Sequence, residues 1–97
     1  MLDELDGFVC ANDSIALGVI NQLNRFGYRV PDDIAVTGFD DSPIALLANP
    51  KLTTVRQDSQ LQGETMSRLL LSMLQGDIVE PYYVQLLPTT IAERQSA

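Results

Sequence analysis

Val36-Thr37-Gly38-Phe39-Asp40-Asp41-Ser42, residues 36–42, is the stretch whose reading decides the fold. An apolar, β-branched approach (Ile34, Val36) runs into a glycine, an aromatic ring and then two carboxylates. A buried parallel strand has this form where it delivers acids to the carboxyl edge of its sheet. Open α/β sheets bind their ligands just outside that edge. The turn Pro31-Asp32-Asp33 precedes the stretch, and Leu52-Thr53-Thr54-Val55-Arg56-Gln57 reads as a further extended run after it.

Upstream, the apolar run Gly7-Phe8-Val9-Cys10-Ala11 predicts another fully buried strand, which Asn12-Asp13-Ser14 breaks. Asp13 or Ser14 suits the N-cap of the helix that follows, because a short side-chain oxygen can accept from the free amides of the first turn. Ala16, Val19, Ile20, Leu23 and Phe26 fall at helical spacing and form one stripe to be buried, with Gly27 as the left-handed stop. Strand, helix and strand make a βαβ unit, expected to be parallel and right-handed.

Downstream, Ser42-Pro43 reads as N-cap and first helical residue of a short helix through Ile44-Ala45-Leu46-Leu47, with Asp41-Ser42 as its cap. Ser59-Gln60-Leu61-Gln62 has capping-box spacing and opens the longest helix. The stripe of that helix is Met66, Leu69, Leu70, Met73 and Leu74, and Gly76 closes it. Strands are expected around 82–87 and over 90–94. Apolar parallel strands need covering on both faces, and two substantial helices leave one face bare. The fold class is therefore α/β with a Rossmann-like parallel sheet, as one portion of a larger body.

The 97 residues carry thirteen acids against six bases, a formal net charge of −7. Phosphate-backbone contact needs clustered lysine and arginine, whereas Lys51 is the only lysine here and the arginines are scattered. Nucleic acid and anionic membrane surfaces are thus excluded as partners of this chain alone. No apolar run approaches the roughly 18 residues of a membrane span, and the acidic start is unlike a signal peptide. Cys10 is the single cysteine and histidine is absent, which removes disulfides, cysteine-cluster metal sites and His-dependent triads. Cys10 is expected to be a packed core thiol, no cofactor or metal is implied, and a cytoplasmic location fits best.

Asn12 and Asp40 hold equivalent places, each the first polar residue after a buried strand, so in a parallel sheet both point into one crevice. Asn supplies a donor and an acceptor, and ionised Asp supplies acceptors only. Together they suit a neutral polyhydroxylated ligand. The plainer reading of Asn12 is a local cap or turn residue, and of Asp40 a carboxylate serving nearby backbone amides. Gln57 and Asp58 sit where the extended run gives way to the long helix, a place that also suits a turn and N-cap. Ile44, Leu46 and Leu47 read either as core or as an exposed patch for a partner subunit. Asp40-Asp41 is also compatible with a magnesium-dependent phosphoacceptor, but the lone Lys51 precedes its strand and no glycine-rich phosphate loop appears.

Three segments, Val9 to Gly18, Gly27 to Asp41 and Leu52 to Gln57, resemble the effector-binding domain of lac-repressor-type (LacI/GalR) transcription regulators. Leu86-Leu87-Pro88 and Ile91-Ala92-Glu93-Arg94 agree with the same pattern, so the resemblance runs over nearly the whole chain. It implies a periplasmic-binding-protein-like fold in two lobes that hold a small effector, usually a sugar or nucleobase, between them. It also implies a homodimer that reaches operator DNA through an N-terminal module. The sequence looks like the last third of such a protein. Residues 1–97 form the C-terminal portion of the effector-binding domain, with 1–53 in the C-terminal lobe, 54–58 as interlobe crossover and 59–97 returning to the N-terminal lobe.

Carried over by position, Asn12, Asp40 and Gln57 match ligand-contacting or cleft-lining residues, and Phe39 packs beneath the ligand. Leu17, Ile44, Leu47 and Ala48 match the dimer interface. The expected role is effector sensing in a transcription regulator without enzymatic activity. A solute-binding receptor of the same fold is the principal rival, and a magnesium enzyme using Asp40 and Asp41 is the other. Alone, the chain is expected to expose apolar strand faces and to associate.

Overall fold

The computed structural model describes residues 4–78 and 83–97. They contain four strands and three helices in the order β1 (Gly7–Val9), α1 (Asp13–Arg25), β2 (Ala35–Phe39), α2 (Ile44–Leu47), β3 (Thr53–Gln57), α3 (Ser59–Leu74) and β4 (Thr89–Ala92). The sheet order is β1-β2-β3-β4, and β1–β2 and β2–β3 pair in parallel with Val9 opposite Thr37 and Phe39 opposite Val55. The expected parallel βαβ unit is present. The chain divides into two compact units, one formed by residues up to Gln57 with Thr90–Ala97, the other by Asp58–Thr89.

In the first unit α1 covers one face of the sheet. Its stripe Ala16, Ile20 and Leu23 is buried with Cys10, Ile34, Val36, Ala45, Ala48 and Leu52. Of these, Ile20, Ile34, Val36 and Leu52 are fully buried, and each such side chain contributes about 1.5–3 kcal/mol. The helix starts one residue earlier than the caps suggested by the sequence. Asn12 is the N-cap and its Oδ1 accepts from Ile15 N at 2.9 Å, because the buried Asp13 turns its carboxylate inward. Gly27 takes φ +82 and stops the helix as expected. Phe26, counted in the stripe, lies in the cap and is 66% exposed. Burial raises the pKa of the Cys10 thiol, as suits a packed core residue instead of a nucleophile.

The opposite face is bare. Val9 is 92% exposed although β1 reads as fully buried, since among the described residues of this unit no helix covers that side of the strand. β2 alternates, with Val36 and Gly38 buried under α1 and Ala35, Thr37 and Phe39 half-buried. Gly38 allows this close approach. A Cβ there would overlap Asp13 Oδ1 and stand 2.8 Å from Leu52 Cδ2. Gly38→Ala is therefore expected to cost about 1–3 kcal/mol in urea unfolding, as overpacking does.

The C-terminal segment completes the unit. Ser96 is fully buried and bonds to both β2 and the first residue of β3. Its carbonyl accepts from Val36 N at 2.8 Å, its hydroxyl accepts from Thr53 N at 2.8 Å, and the same hydroxyl donates to Val36 O. Residues 90–97 thus pack with the first unit, whereas the sequence reading grouped all of 59–97 together.

Two other expectations are corrected here. Asp41 and Ser42 do not cap α2, whose N-cap is Pro43 without a side-chain bond, because both residues are engaged elsewhere. The strand expected around 82–87 falls partly on Tyr82, outside the described residues. Residues 83–88 form no strand, and Val84 and Leu86 stand exposed without strand partners. The last strand begins at Thr89 and ends at Ala92, because Arg94 N turns to Thr53 Oγ1 at 2.8 Å.

The second unit consists mainly of α3. Asp58 is the N-cap, as its place between the extended run and the helix suggested: it accepts from Leu61 N at 2.9 Å, and Gly76 closes the helix at φ +82. Of its residues only Thr65 is buried, and Met66, Leu70, Met73 and Leu74 of the expected core stripe are exposed in this chain. Among the described residues no helix is long and apolar enough to cross a membrane.

Candidate functional site

The ends of β1, β2 and β3 lie at one edge of the sheet because the three strands are parallel and in register. The pairing of β1 with β2 ends with Val9 opposite Thr37, and Asn12 and Asp40 each follow three residues later, outside the strands. Asp40 is exposed, while Asn12 and Gln57 are half-buried. Asp40 Oδ1 accepts from Gln57 Nε2 at 2.8 Å, so two of the residues singled out by the sequence meet directly. Asn12 also serves as helix cap, which confirms the plainer reading of its Oδ1. Its Nδ2 makes no hydrogen bond among the described residues. Phe39, the last residue of β2, is half-buried on the side of the strand opposite Gly38.

Beneath this edge lies a polar layer. Asp13, 1% exposed, accepts from Ser42 N at 2.6 Å, Ser42 Oγ at 3.0 Å and Thr54 Oγ1 at 2.6 Å. A carboxylate at the first position of α1 also sits well with the positive end of the helix dipole. Ser42 directly follows Asp40-Asp41, and Thr54, on β3, also accepts from Asp41 N at 3.4 Å, so the loop that carries the candidate contact is fastened to α1 and β3.

Asp41 forms the third element. Its Oδ2 accepts from Arg56 Nε at 2.7 Å and its Oδ1 from Arg94 Nη2 at 2.6 Å, while Arg94 Nη1 donates to Leu52 O at 2.8 Å. Arg56 first, and Arg94 after it, hold the Asp41 carboxyl below its ordinary pKa. A carboxyl whose pKa is lower in the folded chain stabilises it at pH values above the ordinary carboxylate range. That contribution is lost as acidification passes through the depressed value. Both oxygens of Asp41 are thus occupied by protein cations, which speaks against Asp40-Asp41 as a magnesium or phosphoryl site. Among the described residues no group of three or more His, Cys, Asp or Glu is placed to hold a metal.

Sequence reasoning missed Arg56, Arg94 and the Asp13–Thr54 pair. Their partners lie 15, 53 and 41 positions away, beyond any local spacing rule. Two hollows of the first unit lie elsewhere. One of about 290 Å³ is lined on the bare face by Thr37, Thr53, Val55 and Ile91 among others, and the second by Asn24, Tyr28, Arg29 and Asn49 with their neighbours. Neither includes Asn12, Asp40 or Gln57, which stand at the open edge of the sheet. Of the expected interface residues, Leu47 is 78% exposed, Leu17 and Ile44 are half-buried, and Ala48 packs into the core.

The periplasmic binding protein-like domain model matches residues 1–97. The HTH-type transcriptional regulator CelR of Thermobifida fusca is 38% identical over 93 residues, covering 96% of this chain and 27% of that protein. The structure of the transcriptional regulator CelR–cellobiose complex superposes with TM-score 0.85 at 38% identity, over 95% of this chain and 28% of that one. The lac repressor dimer bound to operator and the anti-inducer ONPF gives TM-score 0.85 at 37% identity, over 94% and 31%. The chain therefore spans about a quarter of the length of such relatives. The parallel sheet, the strand-end polar residues and these matches lead to one conclusion: the chain belongs to the periplasmic binding protein-like domain family, in the form found in lac-repressor-type (LacI/GalR) regulators.

Proposed function

We propose that this chain is the C-terminal part of the effector-sensing domain of a transcription regulator, and that it contacts a small neutral polyhydroxylated ligand, a sugar or nucleoside-like molecule, through Asn12, Asp40 and Gln57. The observation that carries the reading is the hydrogen bond between Asp40 and Gln57 at the carboxyl edge of a parallel sheet whose neighbouring strand runs on to Asn12. Asp40 Oδ2 accepts from ligand hydroxyls, Asn12 Nδ2 donates to them, and Phe39 supports the ligand from the strand end. Similarity to a cellobiose-bound regulator favours a saccharide.

The working mechanism is a two-state clamp. The ligand favours one arrangement of the whole sensor by its differential affinity, and that shift is passed to a DNA-binding module outside these residues. α3 belongs to the other lobe in this reading, and residues 54–58 form one crossover between the two. Leu17, Ile44 and Leu47 contribute to a homodimer interface, in which Leu47 is the exposed anchor, whereas Ala48, expected there too, is buried in the core of this chain. The protein is a regulator of the cytoplasm without catalytic activity.

Calorimetric titration of the full-length protein with cellobiose, lactose, maltose and a nucleoside panel tests the reading. Saturable binding of at least one compound, accompanied by a change in affinity for its operator, is expected. A folded protein that binds none of them would overturn the choice of ligand class.

A further inference from the structure

Two successive non-glycine residues, Asp40 at φ 108 and Asp41 at φ 51, occupy the left-handed side of backbone space. Each such residue costs on the order of 1–3 kcal/mol unless its surroundings hold it there. The backbone bonds at this point are few. Asp40 N donates to Val55 O at 2.9 Å, and Asp41 N reaches Thr54 Oγ1 only at 3.4 Å. Ser42 N, one residue on, donates to the buried Asp13 at 2.6 Å, and the Asp41 side chain adds a second restraint, a carboxylate held by a guanidinium on each oxygen. The side chains of Asp41 and Arg94 are 14% and 15% exposed, so this pair is shielded from solvent more than that with Arg56, which is 56% exposed.

The two arginines have a further property in common. The chain leaves the first unit after Gln57 and re-enters it at Thr90. Arg56 lies immediately before the exit and Arg94 four residues after the return began. One carboxylate thus joins both passages of the chain, and its neighbour Asp40 holds Gln57 at the exit itself.

We propose that Asp41 is a positioning residue. Clamped by Arg56 and Arg94, it holds the backbone turn that aims the Asp40 carboxylate at Gln57, and it links that carboxylate to both segments by which the chain leaves and re-enters the unit. The inference rests on the ligand reading of Asp40 for its functional consequence, but not for its geometry. Asp41 itself touches no ligand in this scheme.

The test uses the full-length protein labelled with 15N-glutamine, with the Gln57 side-chain amide assigned through Gln57→Glu. In the ligand-free state Asp40→Asn reports where that resonance goes when the charged acceptor is lost. Asp41→Asn and Asp41→Gly are expected to shift the Gln57 resonance the same way, although Asp41 does not bond to Gln57. Asp41→Gly is the decisive variant, because glycine accepts the backbone angle yet lacks the carboxylate. Arg94→Lys, which keeps the charge but loses the fork, is expected to shift it partway and stands in if an Asp41 variant fails to fold. A Gln57 resonance that stays at its wild-type position in the folded variants overturns the proposal, even where the melting temperature falls. In a second arm, whichever saccharide binds the wild type is expected to bind Asp41→Asn about tenfold more weakly. If the wild type binds no saccharide, that counts against the ligand reading alone, and the resonance decides the positioning role.

Discussion

Asp13→Ala is expected to destabilise the first unit by about 1.5–3 kcal/mol, the range for losing hydrogen bonds to a charged group and leaving their neutral donors unsatisfied. The carboxylate is 1% exposed and takes three donors, Ser42 N, Ser42 Oγ and Thr54 Oγ1. Alanine removes the acceptor and leaves those donors in a space that water reaches poorly, with the favourable charge at the helix start lost as well. The three losses concern one group, so they do not add, and the total stays within the stated range. Asp13→Asn is expected to cost less, because its carbonyl oxygen still accepts while its amide nitrogen must turn toward the Thr54 hydroxyl, which can accept in return. Urea unfolding of the full-length protein, followed by far-ultraviolet circular dichroism, measures both. A midpoint for Asp13→Ala equal to that of the wild type would show that the carboxylate does not hold the loop.

That carboxylate also marks where sequence reading stops. Asp13 reads as a cap, since a short polar residue before an apolar helix is most often one. Its real partners sit on the β2–α2 loop and on β3, 29 and 41 positions away, and only the completed sheet brings them near. Arg56 and Arg94 are illegible for the same reason. The βαβ core is legible because its rules are local: apolar runs of strand length, a helical stripe, a glycine stop and the chain direction that a helical crossover imposes. Asp40 and Gln57 could be singled out from sequence because each stands at the carboxyl end of an extended run, and the structure joins them by one hydrogen bond.

The stripe on α3 shows the limit from the other side. Its periodicity identifies Met66, Leu70, Met73 and Leu74 as one apolar set, yet they remain exposed in this chain. Period reveals which side of a helix seeks cover, and the covering surface need not belong to the same 97 residues. Val9 on β1 behaves alike, a strand residue of buried type facing an uncovered side.

Asp40→Ala is expected to weaken saccharide binding by the full-length protein about 10- to 100-fold, the effect of losing hydrogen bonds to a charged group worth roughly 1.5–3 kcal/mol. The folded state should change little, because Asp40 is exposed and gives up one bond, that from Gln57. Two companion substitutions separate ligand contact from backbone effects. Asp40→Gly removes the carboxylate and relieves the strain of φ 108, so it is expected to raise stability by about 1 kcal/mol while losing affinity as alanine does. Asp40→Asn keeps a residue that tolerates positive φ and retains one acceptor, so its affinity should fall between wild type and alanine. Calorimetry gives the affinities and thermal melting the stabilities. Affinity that tracks stability across the three variants would assign Asp40 a purely conformational role. Loss of affinity in the stabilised glycine variant is possible only if the carboxylate itself, and not the turn that carries it, meets the ligand.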